Sequence, residues 1–319
     1  MLTVLFASHN GEGVLPSTLA SMAATTPPEG GWRLLAVNNA SKDGTEAVLR
    51  SFADRLPLTL LREDRPGKNN ALNRALEEAQ GDFYVFCDDD VVVGPDWLVQ
   101  WRRVADEHSR FDMFGGRTEP LWPCDPPQWV LDEVDPGIVF ATNGHMREGP
   151  CDAVALFGTN MAVRASVFSG GVRFNGKIGP SNSSAYPMGS ETELTLRLEA
   201  KGHKSWFSAA PKVKHIIRPH QMQRQSIAMR GYRWGRGQAH MNMGHTYAPK
   251  RLSRKNLLRA SLYPVLMPFY SHHEAWARQW EWAIDQGYED GLRELRGSAP
   301  RWLQANGRPH IAHRFRAPQ

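Results

Sequence analysis

The chain has 319 residues, 41% hydrophobic and 22% charged, which is ordinary usage for a folded protein with a sizeable core. Its longest apolar run, residues 262–269, carries two prolines and falls far short of the roughly 20 residues a membrane span needs. Cys87, Cys124 and Cys151 form no even set and no Cys-x-x-Cys, which argues against a disulfide scaffold and a cysteine zinc site and for a reducing compartment. The net charge of +5 is unevenly spread, because residues 201–259 hold many Lys and Arg and no acidic residue. Such a tract suits a diphosphate, a lipid headgroup, RNA or simply a solvated face.

In chain order, residues 2–7 form a strand-like apolar run, with no basic leader or cleavage pattern, so no cleavable signal segment is expected. Helical spacing follows at 14–24 and 43–52, and strand-like runs at 34–37 and 58–61. A helix is predicted over 69–79, stopped by Gly81, and then a strand over 83–86 ending at three aspartates. Strand and helix alternating at this spacing predict an α/β fold with a mostly parallel sheet flanked by helices. Ligands of such sheets bind beyond the strand C-termini, where the polar clusters Ser8-His9-Asn10, Asn38-Asn39 and Asp88-Asp89-Asp90 all fall.

Further on, a helix is predicted over 97–108, a strand over 112–117 and an irregular connection over 119–136. A strand over 154–163 precedes a Gly/Ser/Asn-rich loop over 170–189, expected to border a ligand site and to order on binding. A helix over 191–200, short strands over 205–209 and 212–215, and helices over 221–243 and 256–285 complete the pattern. Trp276, Trp280 and Ile284 share one face of the last helix, as packing positions do.

Three adjacent carboxylates after a strand repel one another unless a cation or water screens them. Mg²⁺ or Mn²⁺ commonly bridges one or two carboxylates to substrate phosphates; the alternative is a solvated acidic loop before the helix at 97. Arg230, Arg233 and Arg236, in a glycine-interrupted helix, offer a diphosphate clamp.

Six segments, in order, carry a family resemblance. Val37-Asn38-Asn39-Ala40-Ser41-Lys42-Asp43-Gly44-Thr45 resembles the V-D-[DN]-x-S-x-D-G-T motif of glycosyltransferase family 2, and Val4 through Glu12 resembles that family's first strand and Asn-x-Glu. Gly67-Lys68-Asn69-Asn70-Ala71-Leu72-Asn73 is similar to its G-K-x-x-A-L-N element, and Asp88-Asp89-Asp90 to its DxD motif. Gly158 through Arg164 resembles its G-x-N-M-A-x-R strand, and Gly189 through Leu198 its G-E-D-x-[DE]-L-x-x-R-L element.

The resemblance implies a GT-A fold (a Rossmann-like, mostly parallel sheet flanked by helices) and inversion at the anomeric carbon. It implies a 1–220 transferase domain, with 1–118 as the nucleotide-sugar half and 119–220 as the acceptor half, followed by a mainly helical extension over 221–319. On the same basis Asp90 is the principal metal ligand, with Asp88 and His215, and His220 as fallback. Ala7, His9, Asn10, Glu12, Asn38, Asn39, Lys68, Asp88 and Asp89 line the nucleotide sugar, and Asn160 and Glu193 lie on the acceptor side. Glu191 falls where the family has its base, and a carboxylate there removes the acceptor hydroxyl's proton as it attacks. Asn38-Asn39 departs from the family's acidic pair, which leaves the nucleotide base open, and Asp43 has a capping role.

The implied partners are a Mn²⁺ or Mg²⁺ ion, a nucleotide-diphosphate sugar and a hydroxyl acceptor in polysaccharide, glycolipid or other glycoconjugate synthesis. A cytoplasmic protein is expected, with peripheral contact at the membrane face as an option and no nucleic acid. The competing readings are a nucleotidyltransferase-like diphosphate enzyme, and a non-catalytic basic surface-binding protein on a degenerate transferase core. The absence of GxGxxG after the first strand excludes a dinucleotide-binding oxidoreductase.

Overall fold

The computed structural model describes residues 1–242 and 272–297. Strand β1 (Leu2–Ser8) lies between β2 (Trp32–Asn39) and β4 (Phe83–Cys87), with β3 (Leu58–Glu63) outside β2, and these four run parallel. The sheet continues through β8 (Asn160–Arg164), antiparallel to β4, to β6 (Met113–Leu121) and β9 (Ser205–Ile216). Beyond β9 come β5 (Val91–Val93) and β7 (Gly149–Cys151), both antiparallel to it.

Alternation along the strands explains both layers of helix. In β1, Leu2, Val4 and Phe6 face one side and Leu5 the other, since successive side chains point to opposite faces. The first set packs with α1 (Leu15–Ala23) and α4 (Trp97–Glu107) through Leu15, Leu19, Met22, Trp97, Leu98 and Trp101. The second packs with α3 (Lys68–Glu78) and α7 (Ser190–Glu199) through Ala71, Leu72, Ala75, Leu194 and Leu198. Both faces being covered, the parallel strands are apolar almost throughout. The short α2 (Thr45–Arg50) adds Leu49 to the first layer.

Where the sequence signal is irregular, the structure differs from expectation. The strand predicted over 154–163 is a single 3₁₀ turn, Ala153–Ala155, followed by β8, because the pairing of β4 reaches only from Asn160 to Arg164. The two short strands after residue 205 are one strand, β9, whose register against β6 shifts between Gly116 and Arg117. The connection over 119–136 contains α5 (Gln128–Glu133), and α6 (Pro136–Phe140) follows it.

The chain divides into two compact units. The first comprises residues 1–123, 136–176 and 190–217 and carries the whole sheet. The second is built from residues 124–135, 177–189 and 218 onward. Its core is α8 (Arg224–Asn242) against α9 (His272–Leu295), with Ala185, Ala228, Tyr232 and Ala283 buried between. Residues 256–271 of the predicted last helix lie outside the described residues. Among the described residues no helix is long and apolar enough to cross a membrane.

Candidate functional site

The four parallel strands bring their C-terminal ends, and the start of α3, to one edge of the first unit. Loops there are tied by side chains rather than by regular structure. Asn10 Oδ1 accepts from the Lys42 amide (2.9 Å), Glu12 Oε2 from the Gly44 amide (3.0 Å), and the Gly11 amide donates to Thr45 Oγ1 (2.8 Å). Asp43 accepts from the Glu12 and Thr45 amides and the Thr45 hydroxyl. Burial pushes its carboxyl up, but these bonds win and hold it below the usual carboxylate range.

Asn39 closes the same edge from below. Its Nδ2 donates to the Glu63 and Arg65 carbonyls (2.9 Å each) and its Oδ1 accepts from Gly67 (2.8 Å). Gly67 has φ of 134°, which favours glycine, and it launches α3 with Lys68 as the first residue. His9 Nδ1–H donates to the Asn39 carbonyl at 2.6 Å, while Asn38 donates to Glu46 and accepts from Ser41, both at 3.3 Å.

The charged centre has two parts. Lys68 Nζ lies 2.5 Å from Asp88 Oδ1 and 2.5 Å from Glu191 Oε1, and Ser190 Oγ donates to Glu191 Oε2 at 2.9 Å. Burial would lower the Lys68 pKa, but the two carboxylates outweigh it and raise it. Burial likewise opposes ionisation of Glu191, and the Lys68 ammonium overrides it, so the carboxyl stays below its usual range.

The second part is Asp90 with His215. Antiparallel pairing of β5 with β9 puts Val91 opposite His215, and the Ile216 amide donates to the Asp90 carbonyl (2.9 Å). His215 Nε2 then lies 3.3 Å from Asp90 Oδ1, with both side chains buried. His215 Nδ1–H donates to the Phe140 carbonyl at 2.7 Å, which leaves the Nε2 lone pair facing the carboxylate. Two electron-pair donors aimed at each other call for a cation between them. Burial disfavours the imidazolium, Asp90 outweighs burial, and the net direction is upward.

A divalent ion also fits. Adjacent ligands at about 2.1 Å from a metal and at right angles lie about 3 Å apart, close to the Asp90–His215 spacing. Among the described residues no group of three or more His, Cys, Asp or Glu is gathered for a metal. The expected third ligand, Asp88, is instead tied to Lys68, and Asp89 accepts a hydrogen bond from the Ser8 hydroxyl. His220 is exposed in the 3₁₀ turn Pro219–Met222.

Several expected ligand residues also have structural work. Asn160 is buried, with Oδ1 accepting from Trp97 Nε1 (2.9 Å) and Nδ2 donating to the Arg117 and Pro211 carbonyls. It fastens α4, β6 and β9 to β8. Glu193 is buried in a two-point ion pair with Arg197 along α7. Asn39, Asn10 and Glu12 spend their side chains on the loops described above. Within the second unit, Arg233 donates to the Ser184 carbonyl and lies over Tyr186, and Arg236 is buried against the Ala185 carbonyl and Glu294. Two residues not singled out from sequence do shape the centre: Ser190, and Gly158, where an added Cβ would lie 2.1 Å from Glu191 Oε1. Their signals were the Gly158-Thr159-Asn160 motif and the serine that precedes Glu191.

The chain's relatives are consistent in kind. The family model described as Glycosyl transferase family 2 matches residues 3–168. The succinoglycan biosynthesis protein ExoM of Rhizobium meliloti is 28% identical over 159 residues, which are 45% of this chain and 50% of that protein. The chain thus spans about half the length of that relative. In fold it resembles the mannosyltransferase PcManGT of Pyrobaculum calidifontis, solved with GDP-Man and Mn²⁺ (TM-score 0.59, 17% identity, 92% of this chain and 87% of that one). It also resembles S. aureus TarS 1–349 solved with UDP-GlcNAc (TM-score 0.54, 14% identity, 96% and 95%). The mostly parallel sheet flanked by helices is thus a GT-A sheet, as the sequence led one to expect.

Proposed function

The chain belongs to glycosyl transferase family 2, and from that premise we propose that it is an inverting, metal-dependent glycosyltransferase. It moves a sugar from a nucleotide-diphosphate donor to a hydroxyl acceptor in polysaccharide or glycoconjugate synthesis. One observation supports this most: the Asp90–His215 pair and the Lys68–Asp88–Glu191 group are built around the same β4 end, one suited to a cation and the other ending in an ionised carboxylate.

Asp90 and His215 are the residues that would hold a Mn²⁺ or Mg²⁺ ion beside the donor diphosphate. When bound, the ion neutralises charge gathering on the departing nucleoside diphosphate. Donor binding falls to residues 1–118, where Asn38 and the backbone edge of the β1 and β2 loops meet the nucleoside. Glu191 accepts the proton of the acceptor hydroxyl as its oxygen attacks the anomeric carbon from the face opposite the diphosphate, which inverts the configuration. Binding of UDP-GlcNAc by TarS and of GDP-Man by PcManGT makes these the first donors to try.

Thermal unfolding with UDP, GDP and their sugars, with and without Mn²⁺, tests the reading. One nucleotide should raise the Tm only when metal is present, and Asp90→Ala should remove that shift. Equal shifts without metal would refute metal dependence. Glu191→Gln should keep the shift and lose transfer.

A further inference from the structure

We propose that Lys68 is the positioning residue of the reaction's base, a single ammonium that ties the Glu191 carboxylate to Asp88 at the end of β4. The inference rests on the reading of Glu191 as base.

The geometry separates this role from the obvious one, a lysine waiting for a phosphate. Lys68 Nζ is 2.5 Å from each of two carboxylates belonging to residues 20 and 123 positions away in the chain. The three groups together carry one net negative charge, so the cluster repels rather than attracts a diphosphate. The stem leaves the first residue of α3, whose start is fixed by Gly67 and its bond to Asn39, so the ammonium is delivered from a rigid place. Glu191 is held at both oxygens, Oε1 by Lys68 and Oε2 by Ser190, and Gly158 leaves the space that Oε1 occupies. A carboxylate fixed at both ends before the acceptor arrives presents its remaining lone pairs in one direction, which is what proton removal in a transition state needs. The charge matters as well as the position. Without Lys68, the Glu191 carboxylate would lose the cation that offsets its burial. The direction of the Glu191 shift agrees with this.

The test uses the full chain with Mn²⁺ and hydrolysis of UDP-GlcNAc or GDP-Man, water standing in for the acceptor. Profiles of kcat and donor KM against pH are measured for wild type, Lys68→Met, Lys68→Arg and Glu191→Gln. Lys68→Met should move the acidic limb of kcat up by about 1–3 pH units and lower kcat near neutrality by about 10²-fold, with donor KM near wild type. Lys68→Arg, which keeps the charge, should leave the limb near its wild-type position. Should Lys68→Met fail to fold, Lys68→Gln takes its place and is judged in the same way. An unmoved limb with a raised donor KM would make Lys68 a phosphate ligand and overturn the proposal, provided Glu191→Gln is inactive. If Glu191→Gln keeps wild-type hydrolysis, the reading of Glu191 itself fails, whatever Lys68 does.

Discussion

A methyl group added at Gly158 would lie 2.1 Å from Glu191 Oε1 and 2.4 Å from its carboxyl carbon. Backbone on one side and Lys68 on the other leave the carboxylate little room, so Gly158→Ala should push it off its two-point seat rather than disturb the fold. Misplacement of a reacting group by about 1 Å costs on the order of 10²-fold in rate. We therefore expect Gly158→Ala to lower kcat by about that factor while the nucleotide-dependent Tm shift persists; a wild-type kcat would show that Glu191 is not the group that matters. At this scale the sequence was legible for the carboxylates and for Lys68, because their motifs are local. It was not legible for the amides. A strand-end asparagine that reads a ligand and one that closes a loop, as Asn39 does, have the same side chain and the same sequence neighbours. What separates them is a partner such as the Gly67 amide, 28 residues on.

Helices α8 and α9 meet through glycine. A Cβ at Gly235 would lie 1.9 Å from the Ile284 carbonyl oxygen and one at Gly287 1.9 Å from that of Tyr232, while Gly231 faces the Trp280 ring and Gly291 the Ala239 methyl. Glycine costs a helix about 1 kcal/mol relative to alanine, so these positions are kept for the approach of two backbones. Gly287→Ala reverses the usual sign of that substitution: despite better helix propensity it should lose about 1–3 kcal/mol to overpacking, read as a lower denaturant midpoint. Gly231 and Gly235 were visible in the sequence only as helix interruptions, and Gly287 and Gly291 fell beyond the predicted helix end at 285, whereas the helix runs to Leu295; nothing in one helix says which other helix it touches. By contrast β1 to β4 and α1 to α4 were legible because their apolar periods are long and regular, whereas the bulged β9 broke its own period.

Also on α9, burial and then Glu281 and Glu289, one turn to either side, push the Asp285 carboxyl up to about 6 from 3.8. A carboxyl with a raised folded-state pKa holds its proton more tightly in the folded chain. Its destabilising effect is therefore absent below the unfolded pKa, grows as pH climbs toward about 6, and is complete above it. Asp285→Asn should raise the Tm at about pH 8 and do so much less at about pH 4.5. An equal gain at both would assign the effect to packing instead of charge.

At the scale of the whole molecule, the path of the chain matters more than any one element. A contiguous boundary near residue 220 is what the family resemblance implies, yet residues 124–135 and 177–189 fold with the C-terminal helices. Residues 177–189, part of the loop over 170–189 expected to order on binding, are fastened to α8: the Met188 amide donates to the Arg233 carbonyl (2.9 Å), Arg233 Nε to the Ser184 carbonyl (2.8 Å), and Arg236 to the Ala185 carbonyl. No local pattern announces such bonds, because a Gly/Ser-rich loop has the same composition whether it is pinned or loose. Arg236 is the strongest of these anchors, since it is buried and also pairs with Glu294 of α9, joining three segments through one guanidinium. Arg236→Met keeps the aliphatic volume and removes both bonds, so it should lower stability by about 1.5–3 kcal/mol, the range for hydrogen bonds to charged groups. Limited proteolysis should then cut sooner within 177–189, far from the substitution in sequence, while cleavage elsewhere in the described chain changes less. Protection of 177–189 unchanged in Arg236→Met would mean that the loop's order comes from its own turns, and that the second unit does not depend on this arginine to hold the loop, α8 and α9 together.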